Sequence, residues 1–320
     1  MHVHRGTLAA FGLVGVTAVF GPLDADRTAS AAAQTLPTPV FTAGTELVVL
    51  HVTVRNRRGE YVTDLPASAF TVLEDGEHQS VEFVAPQDAP VTVGLVIDGS
   101  GSMREIREDV VAAASAFVAT SNPLDDVFAL VFNDFVRAAL PPERPFTGDA
   151  LTMRAALLGS IAARGRTALY DALVAGLDYV GRGRYLRKVL IVVGDGGDNA
   201  STATFDDVVR RAQASDATVY AVALVDPLDR DVDPGRLIRL AEMTGGEGYR
   251  PRSVADVAGV LQGVARDIRH TYTLGYVPTN LADDGRVRRT QVSVNLPGGQ
   301  GLSVRVRQQY SRQNGSASDR

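Results

Sequence analysis

No stretch of the sequence restricts the fold more than Val91-Thr92-Val93-Gly94-Leu95-Val96-Ile97-Asp98-Gly99-Ser100-Gly101-Ser102-Met103. Its first half is apolar and largely β-branched, without the alternation of a half-exposed strand. An uninterrupted run of this length predicts a strand buried on both faces, as in a parallel α/β sheet. The run then breaks into an acid, hydroxyl residues alternating with glycine, and a helical pattern. The polar cluster therefore falls at the carboxyl end of a central strand, where open α/β sheets place their ligands. Asp98, Ser100 and Ser102 can turn toward one point, because the intervening glycines curl without a Cβ clash. Three oxygen-bearing side chains so arranged form a cup for a hard cation.

Two later stretches complete the cup. Gly165-Arg166-Thr167-Ala168-Leu169-Tyr170-Asp171 sets a threonine at the mouth of a helix. Val189-Leu190-Ile191-Val192-Val193-Gly194-Asp195-Gly196-Gly197-Asp198-Asn199 is a second buried strand ending in an acid and glycines. Together the three resemble the von Willebrand factor A-type (VWA) domain and its metal-ion-dependent adhesion site. That site combines a D-x-S-x-S loop, a threonine in a second loop and an aspartate after the fourth strand. Asp98, Ser100 and Ser102 match the first loop, Thr167 the second and Asp195 the third. The resemblance implies a Rossmann-like α/β fold, a doubly wound and mainly parallel sheet with Asp98 and Asp195 on neighbouring strands. It implies Ser100 and Ser102 as direct metal ligands, Thr167 as direct or water-bridged, and Asp98 and Asp195 often acting through water.

Two carboxylates and three hydroxyls, with no cysteine and no histidine cluster, suit Mg2+, with Mn2+ or Ca2+ as the other hard cations. The ion keeps open positions, so an acidic side chain of a protein partner can complete its shell. Each residue alone has a plainer reading. Ser102 could cap a helix starting at Arg104, and Thr167 one starting at Ala168. Asp195-Gly196 and Asp198-Asn199 could be turn residues. The coincidence of all five in family order favours the metal site. Asp171 and Asp198 are expected to hold loops by hydrogen bonds.

Around this core the pattern changes twice. Leu47 to Arg55 alternates as a strand, with a turn at Asn56 to Glu60 and a return at Tyr61 to Thr63. A short helical turn over Leu65 to Phe70 precedes Phe70 to Glu74, and Asp75-Gly76 predicts a hairpin onto Ser80 to Val84. From Val91 strands and helices alternate, ending in a helix over Val254 to His270. Thr271 to Val277, Val287 to Leu296 and Leu302 to Tyr310 return to β structure. This arrangement also resembles VWA-containing proteins described from acidobacterial genomes, through Phe70-Thr71-Val72-Leu73-Glu74-Asp75-Gly76 before the core and Tyr272-Thr273-Leu274-Gly275-Tyr276-Val277-Pro278 after it. Neither β segment is long enough for its own core. The two are therefore expected to pair as one antiparallel β domain carrying the VWA domain as an insertion. The divisions read from the sequence are a signal peptide over 1–33, β segments over 35–88 and 271–310, a VWA domain over 89–270 and a disordered tail over 311–320.

The signal peptide rests on a weakly basic start (His2, His4, Arg5), an apolar run over Leu8 to Phe20 and small-x-small sites at Ala29-Ser30-Ala31 and Ala31-Ala32-Ala33. It implies export to the periplasm or the exterior, with no spanning segment after cleavage; an uncleaved anchor is the alternative. A net charge of -5 without blocks of like charge gives no footprint for nucleic acid. Catalysis fits poorly. Phosphatases with an aspartyl nucleophile want a second acid where Ser100 stands. Ser100 lies outside a G-x-S-x-G elbow, and His51, His78 and His270 lie in or beside the β segments, far in sequence from the serines. The sequence thus describes a non-enzymatic exported module that binds a macromolecule through a divalent cation. The alternative is a structural or assembly module using the same fold without obligate metal, with a hydrolase third.

Overall fold

The computed structural model describes residues 47–85, 87–224, 232–282, 284–296 and 301–312, so the expected leader over 1–33 lies outside the described residues. In chain order, β1 (Val48–Arg55), β2 (Phe70–Glu74), β3 (Glu77–Gln79) and β4 (Val81–Ala85) come first. The alternating series follows: β5 (Thr92–Asp98), α1 (Arg107–Thr120), β6 (Asp126–Phe132), β7 (Val136–Ala138), α2 (Ala150–Ser160), α3 (Leu169–Val180) and β8 (Lys188–Gly194). It continues with α4 (Phe205–Ala214), β9 (Thr218–Ala223), α5 (Pro234–Met243), β10 (Gly248–Tyr249) and α6 (Val257–Arg269). The chain closes with β11 (Tyr272–Tyr276), β12 (Val287–Val294), β13 (Ser303–Arg305) and β14 (Gln309–Ser311).

The α/β part is one sheet in the order β10-β9-β8-β5-β6-β7, parallel except for β7. Every residue of β5 is buried, as its unbroken apolar run requires. Its side chains divide between two cores. Val93, Leu95 and Ile97 pack with Val110 and Phe117 of α1, Leu157 of α2 and Leu261 of α6. Val96 packs on the opposite face with Leu173 of α3, Val208 of α4 and Leu240 of α5. Gly94 lets Phe128 fill that second face, since a Cβ there would lie 2.3 Å from Phe128 Cζ. The chain leaves β5 toward β6 and returns through β8 on its other side, so β5 and β8 bound the topological switch point.

The flanking segments form two antiparallel sheets, β13-β1-β11-β4 and β14-β12-β2-β3. Each sheet takes two strands from before the α/β part and two from after it, so neither segment closes a core alone. Val48 opposes Tyr276 and Val52 opposes Tyr272 across β1 and β11. Their shared core holds Leu50, Val52, Phe70, Val72, Leu274 and Tyr310. A buried charge network joins this sandwich to the last helix. Asp267 of α6 is fully buried, bonded to Arg55 of β1 at 2.9 Å, to Arg305 of β13 and to the Tyr220 hydroxyl of β9.

The structure departs from several sequence expectations. Asp75 and Gly76 both take positive φ (50° and 93°), a two-residue turn that pairs Glu74 with Glu77 at once. The hairpin partner of β2 is therefore β3, and Val81–Ala85 crosses to the other sheet beside β11. The strand expected over Leu302 to Tyr310 breaks where Gln308 N–H donates to the Met243 carbonyl at the end of α5, and its halves join different sheets. Ser311, at the start of the expected tail, pairs with Val287, and residues 313–320 lie outside the described residues. The return over Tyr61 to Thr63 is reduced to one bridge between Arg55 and Tyr61. Among the described residues no helix is long and apolar enough to cross a membrane.

Candidate functional site

The parallel register of β5 and β8 carries Asp98 and Asp195 to the same end of the sheet. Asp98 is the last residue of β5 and is 1% exposed. One carboxylate oxygen, Oδ1, accepts the Ser100 N–H at 2.8 Å. The other, Oδ2, is buried without a hydrogen-bond partner among the described residues. Burial pushes this carboxyl up from 3.8 to about 7; the Asp195 charge adds to the rise and the Ser100 N–H opposes it. Gly194 makes the room, since a Cβ there would sit 3.2 Å from Asp98 Oδ2.

From Asp98 the loop folds into a single 3-10 turn over Gly101–Met103. Ser100 Oγ and Ser102 Oγ lie 3.0 Å apart, and Ser102 Oγ donates to Asp195 Oδ2 at 2.8 Å. Asp195 Oδ1 accepts the Gly197 N–H at 2.9 Å. Four of the five expected residues are thus linked directly. Thr167 stands in the adjoining loop, 7% exposed, and joins through backbone contacts. Gly101 N–H donates to the Gly165 carbonyl at 3.3 Å, and Arg164 N–H to the Gly99 carbonyl at 3.2 Å.

Capping does not account for these hydroxyls. The residues at the N-caps of α1 and α3 are Ile106 and Ala168, and neither makes a side-chain cap. Asp171 and Asp198 hold loops as expected: Asp171 accepts from the Thr202 and Ala203 N–H groups, Asp198 from the Tyr170 N–H and the Ser201 hydroxyl. Asn199, read from the sequence only as a turn residue, clamps Thr167. Its Oδ1 accepts the Thr167 N–H and its own N–H donates to the Thr167 carbonyl, both at 2.9 Å. Only its place four residues after Asp195 hinted at this.

The donor set fits a hard cation. Among the described residues no three His, Cys, Asp or Glu side chains cluster, so the cup rests on two carboxylates plus hydroxyls. A buried carboxylate oxygen without a partner is costly unless a proton or a cation satisfies it. The histidines stand elsewhere: His51 is buried in β1 and His270 stacks on Tyr61.

None of the curated proteins matches this chain. Among solved structures, a von Willebrand factor type A protein from Catenulispora acidiphila is 14% identical, with a TM-score of 0.50 over 85% of this chain and 74% of that one. Proximal thread matrix protein 1 from the mussel byssus is 14% identical, with a TM-score of 0.48 over 61% of this chain and 51% of that one. The vWF domain of the type V pili tip protein Mfa5 from Porphyromonas gingivalis is 13% identical, with a TM-score of 0.46 over 56% and 95%. At such identities the likeness concerns the fold alone. The profile of the von Willebrand factor type A domain matches residues 92–262, more than half of the chain and the whole frame from β5 into α6. With Asp98 and Asp195 at the switch point of that frame, the chain belongs to the von Willebrand factor type A domain family.

Proposed function

We propose that this chain is an exported, non-enzymatic binding module that captures a protein partner through a divalent cation, Mg2+ in the first place. Asp98, Ser100, Ser102, Thr167 and Asp195 hold the ion, and the partner contributes a carboxylate. The observation that carries this reading is Asp98 Oδ2, buried and unpartnered beside a second carboxylate and two linked hydroxyls. Such a group is an energetic liability in the bare fold and an asset once a cation is present. When bound, the ion supplies concentrated positive charge with positions open to an outside oxygen ligand.

The residues of the chain prepare that event. Gly194 gives the Asp98 carboxylate its space, and the Ser100 N–H fixes the Asp98 plane. Asn199 fixes the Thr167 backbone. The Ser102 hydroxyl donates its proton to Asp195, which would leave its lone pairs free to hold the ion. Export is supported by the leader pattern in the sequence.

The test is thermal unfolding in chelator and across a Mg2+ titration, with Asp98→Ala as control. A ligand that binds only the folded state adds about 2.7 kcal/mol at 100 times its dissociation constant. A rise with Mg2+ in the wild type and none in the variant supports the cation site. No rise with Mg2+, Mn2+ or Ca2+ transfers the assignment to a structural module that does not need metal.

A further inference from the structure

The cation cup opens onto a cleft of about 670 Å3 whose wall includes Ser102 and Asp195 themselves. This volume lies within the range of about 300–1,000 Å3 of ordinary ligand pockets. Two arginines from distant parts of the sequence meet here: Arg104, directly after the first loop, and Arg252, before α6. Both are exposed, and among the described residues neither guanidinium has an ion pair or a hydrogen bond. Ile106 and Val254 line the same cleft and pack against the sheet core behind it. Glu105 is the remaining acid of the lining. With a divalent ion in the cup, the two guanidiniums and the ion outweigh Asp98, Asp195 and Glu105, so the cleft is electropositive.

We infer that this cleft seats an extended segment of the partner protein bearing two acidic side chains, one for the cation and a second for Arg104 and Arg252. The inference rests on the cation reading of Ser102 and Asp195. A guanidinium presents a planar fork of donors that matches a carboxylate in two bonds, which an ammonium cannot do. Ile106 and Val254 offer apolar contact to the stem between the acids, something a free dicarboxylate would leave unused. The specificity of the site is then set by the spacing of two charges rather than by one acid, which nearly any protein surface could offer.

The experiment measures fluorescence anisotropy of labelled synthetic peptides on the full chain in excess Mg2+. One peptide carries a single aspartate; the others add a glutamate two, three or four residues away. At one spacing the second acid should tighten binding about tenfold, the effect of one partly desolvated charge pair. R104Q/R252Q should abolish that gain. It should keep the affinity for the one-acid peptide within about twofold, as expected for screened surface charges, and keep the rise in unfolding temperature with Mg2+. Equal binding of one-acid and two-acid peptides at every spacing, or a gain retained by the double variant, overturns the inference while leaving the cation site intact. Succinate competing as well as the best peptide also overturns it, in favour of a small dicarboxylate. Absence of any Mg2+ response overturns the cation reading and this inference with it.

Discussion

Replacing Asp98 by asparagine should stabilise the metal-free protein. The side chain keeps its shape, and its amide oxygen can still accept the Ser100 N–H, but the buried charge disappears. The folded-state pKa lies above the ordinary value, at about 7 against 3.8, so the carboxyl contributes stability that is fully present below the lower value. That contribution is lost as pH rises through the higher one. A shift of about three units at about 1.4 kcal/mol each sets a ceiling of about 4 kcal/mol. The cost of one unsatisfied buried polar group gives an independent figure of about 1–3 kcal/mol. A gain of about 2–4 kcal/mol at pH 8 in chelator is therefore expected, shrinking toward zero near pH 4. At roughly 2 °C per kcal/mol for a chain of this size, the unfolding midpoint should rise by about 4–8 °C. The assay is thermal unfolding of both proteins in chelator at several pH values, repeated with Mg2+. Added Mg2+ should raise the wild type alone and narrow or reverse the gap. A variant no more stable than wild type at pH 8, or a difference independent of pH, would refute the view of Asp98 as an unsatisfied ligand.

Three further outcomes follow from the same structure. Ser102→Ala and Thr167→Ala should each weaken Mg2+ binding about tenfold, about 1.4 kcal/mol per lost oxygen, read by calorimetric titration. Burial, then Arg187, Arg307 and Lys188, depress His51 from 6.5 to about 3. A depressed histidine contributes stability present above the higher value and lost as pH falls toward the lower one, so acid should destabilise the fold across that window by up to about 5 kcal/mol. His51→Gln in an Asp98→Asn background, which removes the opposing titration, should flatten the urea midpoint between pH 7 and pH 4. Asp267→Asn leaves Arg55 and Arg305 without their buried counter-charge and should cost about 3 kcal/mol in urea unfolding, while the Mg2+ affinity of the surviving folded protein stays unchanged.

How far the sequence reveals the fold depends on the range over which each signal acts. The unbroken apolar runs ending at Asp98 and Asp195 specify buried parallel strands through their own composition, and both lie where that composition puts them. The alternation in Val48–Arg55 and Phe70–Glu74 likewise specifies strands. Sheet membership is a different matter, because it depends on what a strand meets after the chain has turned. Nothing within Val81–Ala85 says that it pairs with β11, far along the sequence beyond the whole α/β part, rather than with its neighbour β2. The break between β13 and β14 was equally hidden, since it follows from docking on the end of α5.

The site divides along the same line. The cup was legible because its chemistry is local: an acid and hydroxyls separated by glycines, repeated in kind at Thr167 and Asp195, carry their geometry within a few residues. What suits Asp98 to a cation, a buried Oδ2 without a described partner, was not legible, because it depends on the close approach of Gly194 on another strand. The cleft was less legible still. Arg104 reads as an ordinary first-turn residue and Arg252 as a loop charge, and only the packing of α6 against α1 brings both to the rim of the cup. Ligation chemistry in this fold is therefore written in short motifs, whereas the selection of a partner is written in the tertiary arrangement around them. A chain could keep all five cup residues and lose its partner through Arg104 and Arg252 alone, so measuring metal binding and peptide discrimination separately asks two different questions of one site.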